Sequence, residues 1–127
     1  MSFLKFSICF QFVISSTLLS STWQSYWNSQ KTATTSDQIN YLYAYDKDMD
    51  NLSGIEQLSN LQYAYLGDNN FNNEDLNYLF QLTSLINLDI SYGGKLTSVD
   101  GIQKLTNLHN LELEGQKLTS LKPFLEM

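Results

Sequence analysis

Apolar residues recur at a fixed interval along most of this chain. Within each interval, two apolar residues that alternate with polar ones are followed by further apolar residues at steps of about three. One equivalent position is held by Ile39, Leu61, Leu85 and Leu108, with spacings of 22, 24 and 23 residues. Such self-similarity predicts an array of stacked units rather than one irregular core. The predicted units lie near residues 37–58, 59–82, 83–105 and 106–127.

The spacing inside a unit predicts its local structure. In the fourth unit Leu111 and Leu113 are two residues apart, so both lie on one face of a strand. Leu118, Leu121 and Phe124 follow at three-residue steps, which suits a 3₁₀ or short helical return. One unit cannot bury its apolar edge alone, whereas stacked units can. We therefore expect an α/β solenoid with a concave parallel β-sheet and a convex side of 3₁₀, short helical or irregular segments.

The same register predicts which side chains form the core. The inward positions are Ile39, Leu42, Ala44, Met49, Leu52, Ile55, Leu58, Leu61, Ala64, Leu66, Phe71, Leu76, Leu79, Leu82, Leu85, Leu88, Ile90, Leu96, Val99, Ile102, Leu105, Leu108, Leu111, Leu113, Leu118, Leu121 and Phe124.

The N-terminal part of the chain lacks the repeat. Residues 1–22 contain Lys5, then an apolar run from Phe6 to Leu19, then small polar residues, which is the order of a secretory signal. The run is too short to span a bilayer. The alternative interpretation is a disordered segment. Residues 23–36 are polar with two tryptophans, and we interpret them as a linker or a poorly formed cap.

The repeat residues resemble a known family. The fourth unit, within DGIQKLTNLHNLELEGQKLTSLKPF, carries a G-I-x-x-L-T-N-L-x-x-L-x-L pattern, and DNLSGIEQLSNL matches its first part near residue 50. These segments resemble the 22-residue class of leucine-rich repeats, above all bacterial internalin-type repeats. They are less similar to the phosphatase-regulatory leucine-rich repeats of eukaryotic cells. The resemblance covers residues 37–125.

This resemblance implies a non-enzymatic protein that binds another protein through its concave sheet and is secreted or displayed at the cell surface. The alternatives are a cytoplasmic scaffold or regulatory protein, and a truncated fragment without independent function, since the sequence suggests no capping helix before Ile39 and no C-terminal cap. The turn position where such repeats usually have asparagine is held by Lys47, Asn69, Gly94 and Gln116. Because only the second unit keeps asparagine, we expect a less regular turn side.

The residues between the inward positions are the candidate binding residues, because alternate strand residues point to opposite faces. Tyrosines dominate the first two units and acidic or amide residues the last two. A tyrosine patch of this size is typical of an interaction site, although tyrosine also favours strands and stabilises sheets. We predict partner contacts at Tyr41, Tyr43, Tyr45, Tyr63, Tyr65, Asn87, Asp89, Asn110, Glu112 and Glu114, with Gly67 and Ser91 on the same face.

Charge and composition narrow the partner further. The chain has 13 acidic residues against 7 lysines, no arginine, and a formal net charge of −6. Nucleic acid is a poor fit, because its recognition depends on cationic side chains that displace phosphate counterions. The acidic half of the face favours a protein partner with a basic patch. No small-molecule substrate and no cofactor is predicted.

Three features that could indicate other chemistry are weak. Residues 46–50 resemble the start of a calcium loop, but Asn51 and Gln57 replace the required glycine and glutamate, so we expect no metal site. Asn51 also begins a glycosylation triplet, which matters only in a eukaryotic secretory pathway. Cys9 and His109 are the single cysteine and histidine, which leaves no disulfide and no catalytic constellation, and we expect no enzyme.

Overall fold

The computed structural model describes residues 21–22 and 38–127. Most of the signal-like segment and all of the proposed linker therefore lie outside the described residues. The elements, in chain order, are strand β1 (Ser21–Thr22), strand β2 (Tyr41–Tyr43), strand β3 (Met49–Asn51), 3₁₀ helix η1 (Ile55–Gln57), strand β4 (Tyr63–Tyr65), helix α1 (Leu76–Leu79), strand β5 (Asn87–Asp89), 3₁₀ helix η2 (Ile102–Lys104), strand β6 (Asn110–Glu112) and 3₁₀ helix η3 (Lys122–Glu126).

Each repeat contributes one short strand to a four-stranded sheet. The strand order is β2-β4-β5-β6, and every pair is parallel. The central residues Leu42, Ala64, Leu88 and Leu111 lie opposite one another in register. The chain therefore advances by one strand per unit, and the predicted leucine-rich repeat solenoid is confirmed.

The convex side consists of short segments, as the three-residue spacing predicts. It contains the three 3₁₀ helices and the single turn of α1. On the same side β3 pairs in parallel with β1, so that Ser21 lies opposite Met49. Within residues 21–22 and 38–127, no helix combines the length and the apolar character that crossing a membrane requires.

The core is continuous and contains most of the predicted inward side chains. From Leu42 to Leu105 all of them are at most 5% exposed, and Phe80, which the repeat pattern does not include, is buried beside them. The outermost positions are less enclosed, since Ile39, Leu108 and Leu111 are only partly buried. Leu121 is 70% exposed, contrary to expectation, because it lies just before η3 in the last unit, where no further described unit covers it.

In the second unit the asparagine at the turn position is buried, and its side chain bonds to backbone groups of the first and second units. Asn69 is 3% exposed, and its amide nitrogen donates to the carbonyls of Ala44, Leu66 and Gly67 at 2.8, 2.8 and 3.2 Å. Its amide oxygen accepts from the backbone nitrogens of Lys47 and Met49 at 3.1 and 3.0 Å. One side chain thus bonds to five backbone groups around the turn, of which the carbonyl of Gly67 also accepts from the backbone nitrogen of Asp46.

Glutamine takes over part of this role in the fourth unit. The amide nitrogen of Gln116 donates to the carbonyl of Ile90 at 2.6 Å, and its oxygen accepts from the backbone nitrogen of Leu96 at 3.1 Å. Gly93, in the third unit, lets its backbone approach that of Asn69 closely. A Cβ at residue 93 would lie 2.5 Å from the carbonyl oxygen of Asn69. The turn side is therefore irregular in sequence, yet two of its four positions still hold adjacent units together.

The longer loop of the second unit is bonded to both neighbouring units. Asn72 and Asp75 exchange side-chain bonds with each other's backbone nitrogens, an arrangement of the capping-box type ahead of α1. Asp75 also accepts from the backbone nitrogen of Leu52 in the first unit at 3.3 Å. Asn73 accepts from the backbone nitrogen of Thr97 in the third unit at 3.0 Å. The extra residues therefore add contacts between units without disturbing the register.

Candidate binding face

The parallel register brings the predicted face residues together in rows across the sheet. One row consists of Tyr41, Tyr63, Asn87 and Asn110, and the next consists of Tyr43, Tyr65, Asp89 and Glu112. Tyr45, Gly67, Ser91 and Glu114 follow these strands at equivalent positions. We call this set of twelve residues the concave face. Its first two columns are aromatic except at Gly67, and its last two are polar or acidic.

The tyrosine rings of the first two units form one connected cluster. The ring centroid of Tyr41 is 5.5 Å from that of Tyr65 and 6.3 Å from that of Tyr63. Tyr43 lies 6.1 Å from Tyr65 and 6.4 Å from Tyr45. These separations lie in the range that favours aromatic pairs. Tyr43 is nevertheless 41% exposed, so the cluster keeps aromatic surface available to solvent.

A glycine makes room for the fifth ring. A Cβ at Gly67 would lie 2.7 Å from Cε2 of Tyr45 and 3.0 Å from the hydroxyl of Ser91. The ring of Tyr45 therefore lies against the backbone of the second unit. Burial, followed by the negative charges of Asp68 and Asp89, raises the pKa of the Tyr45 phenol, so it stays neutral and can donate a hydrogen bond.

The polar half of the concave face has one buried carboxylate among exposed ones. Asp89 is 8% exposed, and its Oδ1 accepts from the backbone nitrogen of Ser91 at 2.9 Å and from the Ser91 hydroxyl. Glu112 and Glu114 are exposed on the next strand and just beyond it. Asn110 donates to the side-chain oxygen of Asn87 at 3.1 Å, which links the two amide positions.

Tyr92 belongs to this region, although the repeat pattern does not predict it. It is 48% exposed, and its hydroxyl donates to the carboxylate of Glu114. That hydrogen bond, together with burial and the charge of Glu114, raises the pKa of Tyr92 to about 12. The negative charges of Asp89 and, at high pH, of ionised Tyr45 act on the Tyr92 pKa in the same direction.

Tyr92 has a backbone conformation that is unusual for a residue of its size. The residue that follows the concave face has a positive φ in every unit: Asp46, Asp68, Tyr92 and Gly115 have φ of 52°, 54°, 62° and 73°. Glycine and aspartate tolerate this left-handed conformation, whereas a bulky residue adopts it at a cost. A sequence signal for Tyr92 therefore exists: it is the one bulky side chain in a column of small turn residues.

Two solved structures share this architecture. An internalin, InlF, from Listeria monocytogenes is 31% identical, covers 72% of this chain and has a TM-score of 0.66. Internalin C2 from the same species is 27% identical, covers 73% of this chain and has a TM-score of 0.62. The chain is an internalin-like leucine-rich repeat protein. The resemblance inferred from the leucine spacing is thereby confirmed.

The internalin-like chain is short beside these structures. It spans 26% of the length of the InlF chain and 42% of the internalin C2 chain. No family model matches the sequence, and no curated protein matches it either. The likeness thus rests on the three-dimensional arrangement of the repeats, at sequence identities of 31% and 27%.

The internalin-like array offers an open surface for contact. Among residues 38–127, no three histidine, cysteine, aspartate or glutamate side chains are grouped so that they could hold a metal ion. His109 lies at the start of the last strand, with Nδ1 2.7 Å from the carbonyl oxygen of Asn107. The side chains of the described face offer aromatic surface, hydrogen-bonding groups and negative charge.

Proposed function

We propose that this internalin-like chain binds a protein partner on its concave face, with the tyrosine cluster as the main contact surface. Internalin-like repeats are protein-interaction modules, and the cluster of five rings is the observation that supports this face. Tyrosine buries a large area, keeps a hydroxyl for hydrogen bonding and has few rotatable bonds, which is why it is enriched in binding hot spots.

The packing of the cluster supports a preformed contact surface. The ring of Tyr65 already packs against the rings of Tyr41 and Tyr43 in the free protein. Side chains that are ordered before binding lose less conformational entropy when a partner docks, so more of the contact energy appears as affinity. The same contacts also stabilise the sheet, and an experiment must separate the two effects.

The acidic half favours a partner with basic side chains. Asp89, Glu112 and Glu114 lie on adjacent columns of the concave face. Opposite charge across an interface accelerates association and selects among partners. We infer a partner surface that places lysine or arginine against β5 and β6 and apolar or aromatic residues against β2 and β4. Binding should therefore weaken as the salt concentration rises.

We also propose that the protein acts outside the cytoplasm, either secreted or at the cell surface. The order of basic, apolar and small polar residues in the first 22 positions supports export. Cell fractionation tests this with an antibody against the repeats. A shortened chain in the medium or at the surface is expected, whereas the uncleaved chain only in the cytosol would contradict export.

The binding proposal is tested with the double variant Tyr43→Ala, Tyr65→Ala of the full chain. Binding is measured on an array of purified cell-surface ectodomains, and dissociation constants are measured for those that bind the wild type. We expect the double variant to bind at least about tenfold more weakly, because two adjacent hot-spot rings are removed. The free energy of unfolding should fall by about 2–4 kcal/mol, because the two substitutions remove three ring pairs: Tyr41–Tyr65, Tyr43–Tyr65 and Tyr43–Tyr45.

The matched control is Thr83→Ala, Thr106→Ala, which alters two exposed residues outside the concave sheet. It should change neither binding nor stability. Unaltered binding together with a large loss of stability in the tyrosine variant would mean that the rings only reinforce the sheet.

A further inference from the structure

Asp89 has a buried carboxylate, and the described residues donate hydrogen bonds to only one of its two oxygens. Its Oδ1 accepts both hydrogen bonds from Ser91. Its second oxygen, Oδ2, accepts no hydrogen bond from residues 38–127, and no lysine there lies within salt-bridge distance of it. Asp89 is nevertheless only 8% exposed.

This combination is unusual in a folded protein. Aspartate is almost never fully buried without a charged or hydrogen-bonding partner, because removing a carboxylate from water is costly. An ionised carboxylate can accept at about four lone-pair positions, and two donors leave part of that capacity unused. Asp75, the other buried aspartate, uses both of its oxygens: Oδ1 accepts from Leu52 and Oδ2 from Asn72.

The surroundings of Asp89 suit a cation. Tyr65 and Glu112 lie opposite it on the two neighbouring strands. A Cβ at Gly67 would lie 2.7 Å from Cε2 of Tyr45 and 3.0 Å from the hydroxyl of Ser91, so the ring of Tyr45 lies beside the group that is bonded to Asp89. Aromatic faces attract cations, and a carboxylate adds a charge-assisted hydrogen bond that is stronger in a partly dehydrated site.

We propose that Asp89 is the anchor point for one cationic side chain, a lysine or an arginine, of the protein partner. The cationic head bonds to Oδ2 of Asp89, and its stem lies between the tyrosine cluster and Glu112. This inference rests on the proposed function, since it assigns a contact within the same concave face. It narrows the general preference for a basic partner to one position at the border of the aromatic and acidic halves.

The test uses small probes, so that it does not depend on the partner. The full, ¹⁵N-labelled chain is titrated with n-propylguanidinium, with n-butylammonium and with the neutral n-propylurea, and amide chemical shifts are followed by NMR. We expect saturable shifts at Asp89 and Ser91 with one or both cations. Affinity for the better cation should exceed that for n-propylurea by about tenfold, because the neutral probe lacks the charge.

Asp89→Asn supplies the decisive variant. It keeps an Oδ1 acceptor for the two Ser91 bonds but removes the charge, and a thermal melt checks that it folds. The shifts caused by the cations should fall at least about threefold in this variant. Asp100→Asn removes the same charge at an exposed residue between β5 and η2, and it should titrate like the wild type.

The possible outcomes separate this inference from the proposed function. Equal responses to the cations and to n-propylurea, or equal cation responses in Asp89→Asn and wild type, would overturn the anchor at Asp89. Either result leaves the ectodomain experiment with the tyrosine variant untouched. If that experiment fails while the cation titration succeeds, the cation site is real and the tyrosine cluster is not the contact surface.

Discussion

The second and fourth units are built on the same repeat but are enclosed to different degrees. In the second unit Ala64 and Leu66 are at most 1% exposed, because β4 has a strand on either side. In the fourth unit Leu111 and Leu113 are only partly buried, because β6 is the last strand of the sheet. Stability in a stacked array comes mainly from contacts between adjacent units, so equivalent leucines need not contribute equally.

The two halves of the concave face differ in a second way. The first two units present rings that touch one another, whereas the last two present amides and carboxylates. The leucines are nearly the same in both halves, so the leucines do not determine this difference. The inward residues of the strands form the core, whereas the alternate residues, on which the proposed recognition depends, differ between the two halves.

The sharpest test of the difference in enclosure is a pair of leucine truncations. Leu88 and Leu111 lie opposite each other on β5 and β6, yet only Leu88 is fully buried, at 1% exposure. We expect Leu88→Ala to lower the free energy of unfolding by about 3–4 kcal/mol and Leu111→Ala by about 1–2 kcal/mol. Urea denaturation followed by circular dichroism measures both. Equal losses would mean that the last unit is as well packed as the inner ones.

The second test compares Asn69 and Gln116, whose side chains bond to backbone groups of adjacent units at the turns. Asn69→Ala removes five hydrogen bonds to backbone groups and leaves buried donors and acceptors unpaired, so a loss of about 3 kcal/mol is expected. Gln116→Ala removes two such bonds at a partly buried site and should cost about 1 kcal/mol. Both values come from the same urea experiment. A larger effect at Gln116 would contradict the view that the second unit is the better fixed.

The smallest expected effect concerns Tyr92. Its pKa is raised to about 12 by the bond to Glu114, so this phenol should ionise after an ordinary tyrosine. A raised pKa contributes stability that is complete below pH 10 and is lost as the pH rises toward 12. Titration of phenolate absorbance at about 295 nm should show a late phase in the wild type. The amplitude of that phase should fall in Tyr92→Phe, where the phenol of Tyr45 can still titrate late, and the phase should move to lower pH in Glu114→Gln; a Glu114→Gln curve that matches the wild type would exclude the bond.

The leucine spacing predicted the fold because core packing is periodic and each unit repeats the same contacts. It correctly placed Leu42, Ala64 and Leu88 in the core, but not Leu121, whose burial depends on a neighbouring unit rather than on its own unit. Similarly, alternation assigned Asp89 to the concave face without revealing its burial. Burial of that side chain depends on the strands and side chains around it, which a single strand pattern does not specify.

The leucine spacing also could not predict the side-chain hydrogen bonds around the turns. Gln116 is not asparagine, yet its longer side chain reaches the carbonyl of Ile90 and the backbone nitrogen of Leu96. The hydroxyl of Tyr92 bonds to Glu114, 22 residues away in the next unit. Both features depend on contacts between units, whereas a repeat pattern describes the content of each unit.

The loop of the second unit is bonded to both neighbouring units, and these bonds affect the order in which the units unfold. Asp75 reaches Leu52 in the first unit, and Asn73 reaches Thr97 in the third. A linear stack can fray one unit at a time from an end. Here fraying from the fourth unit should slow at the third, whose Thr97 is tied to Asn73, so that the first three units open together as one cooperative block.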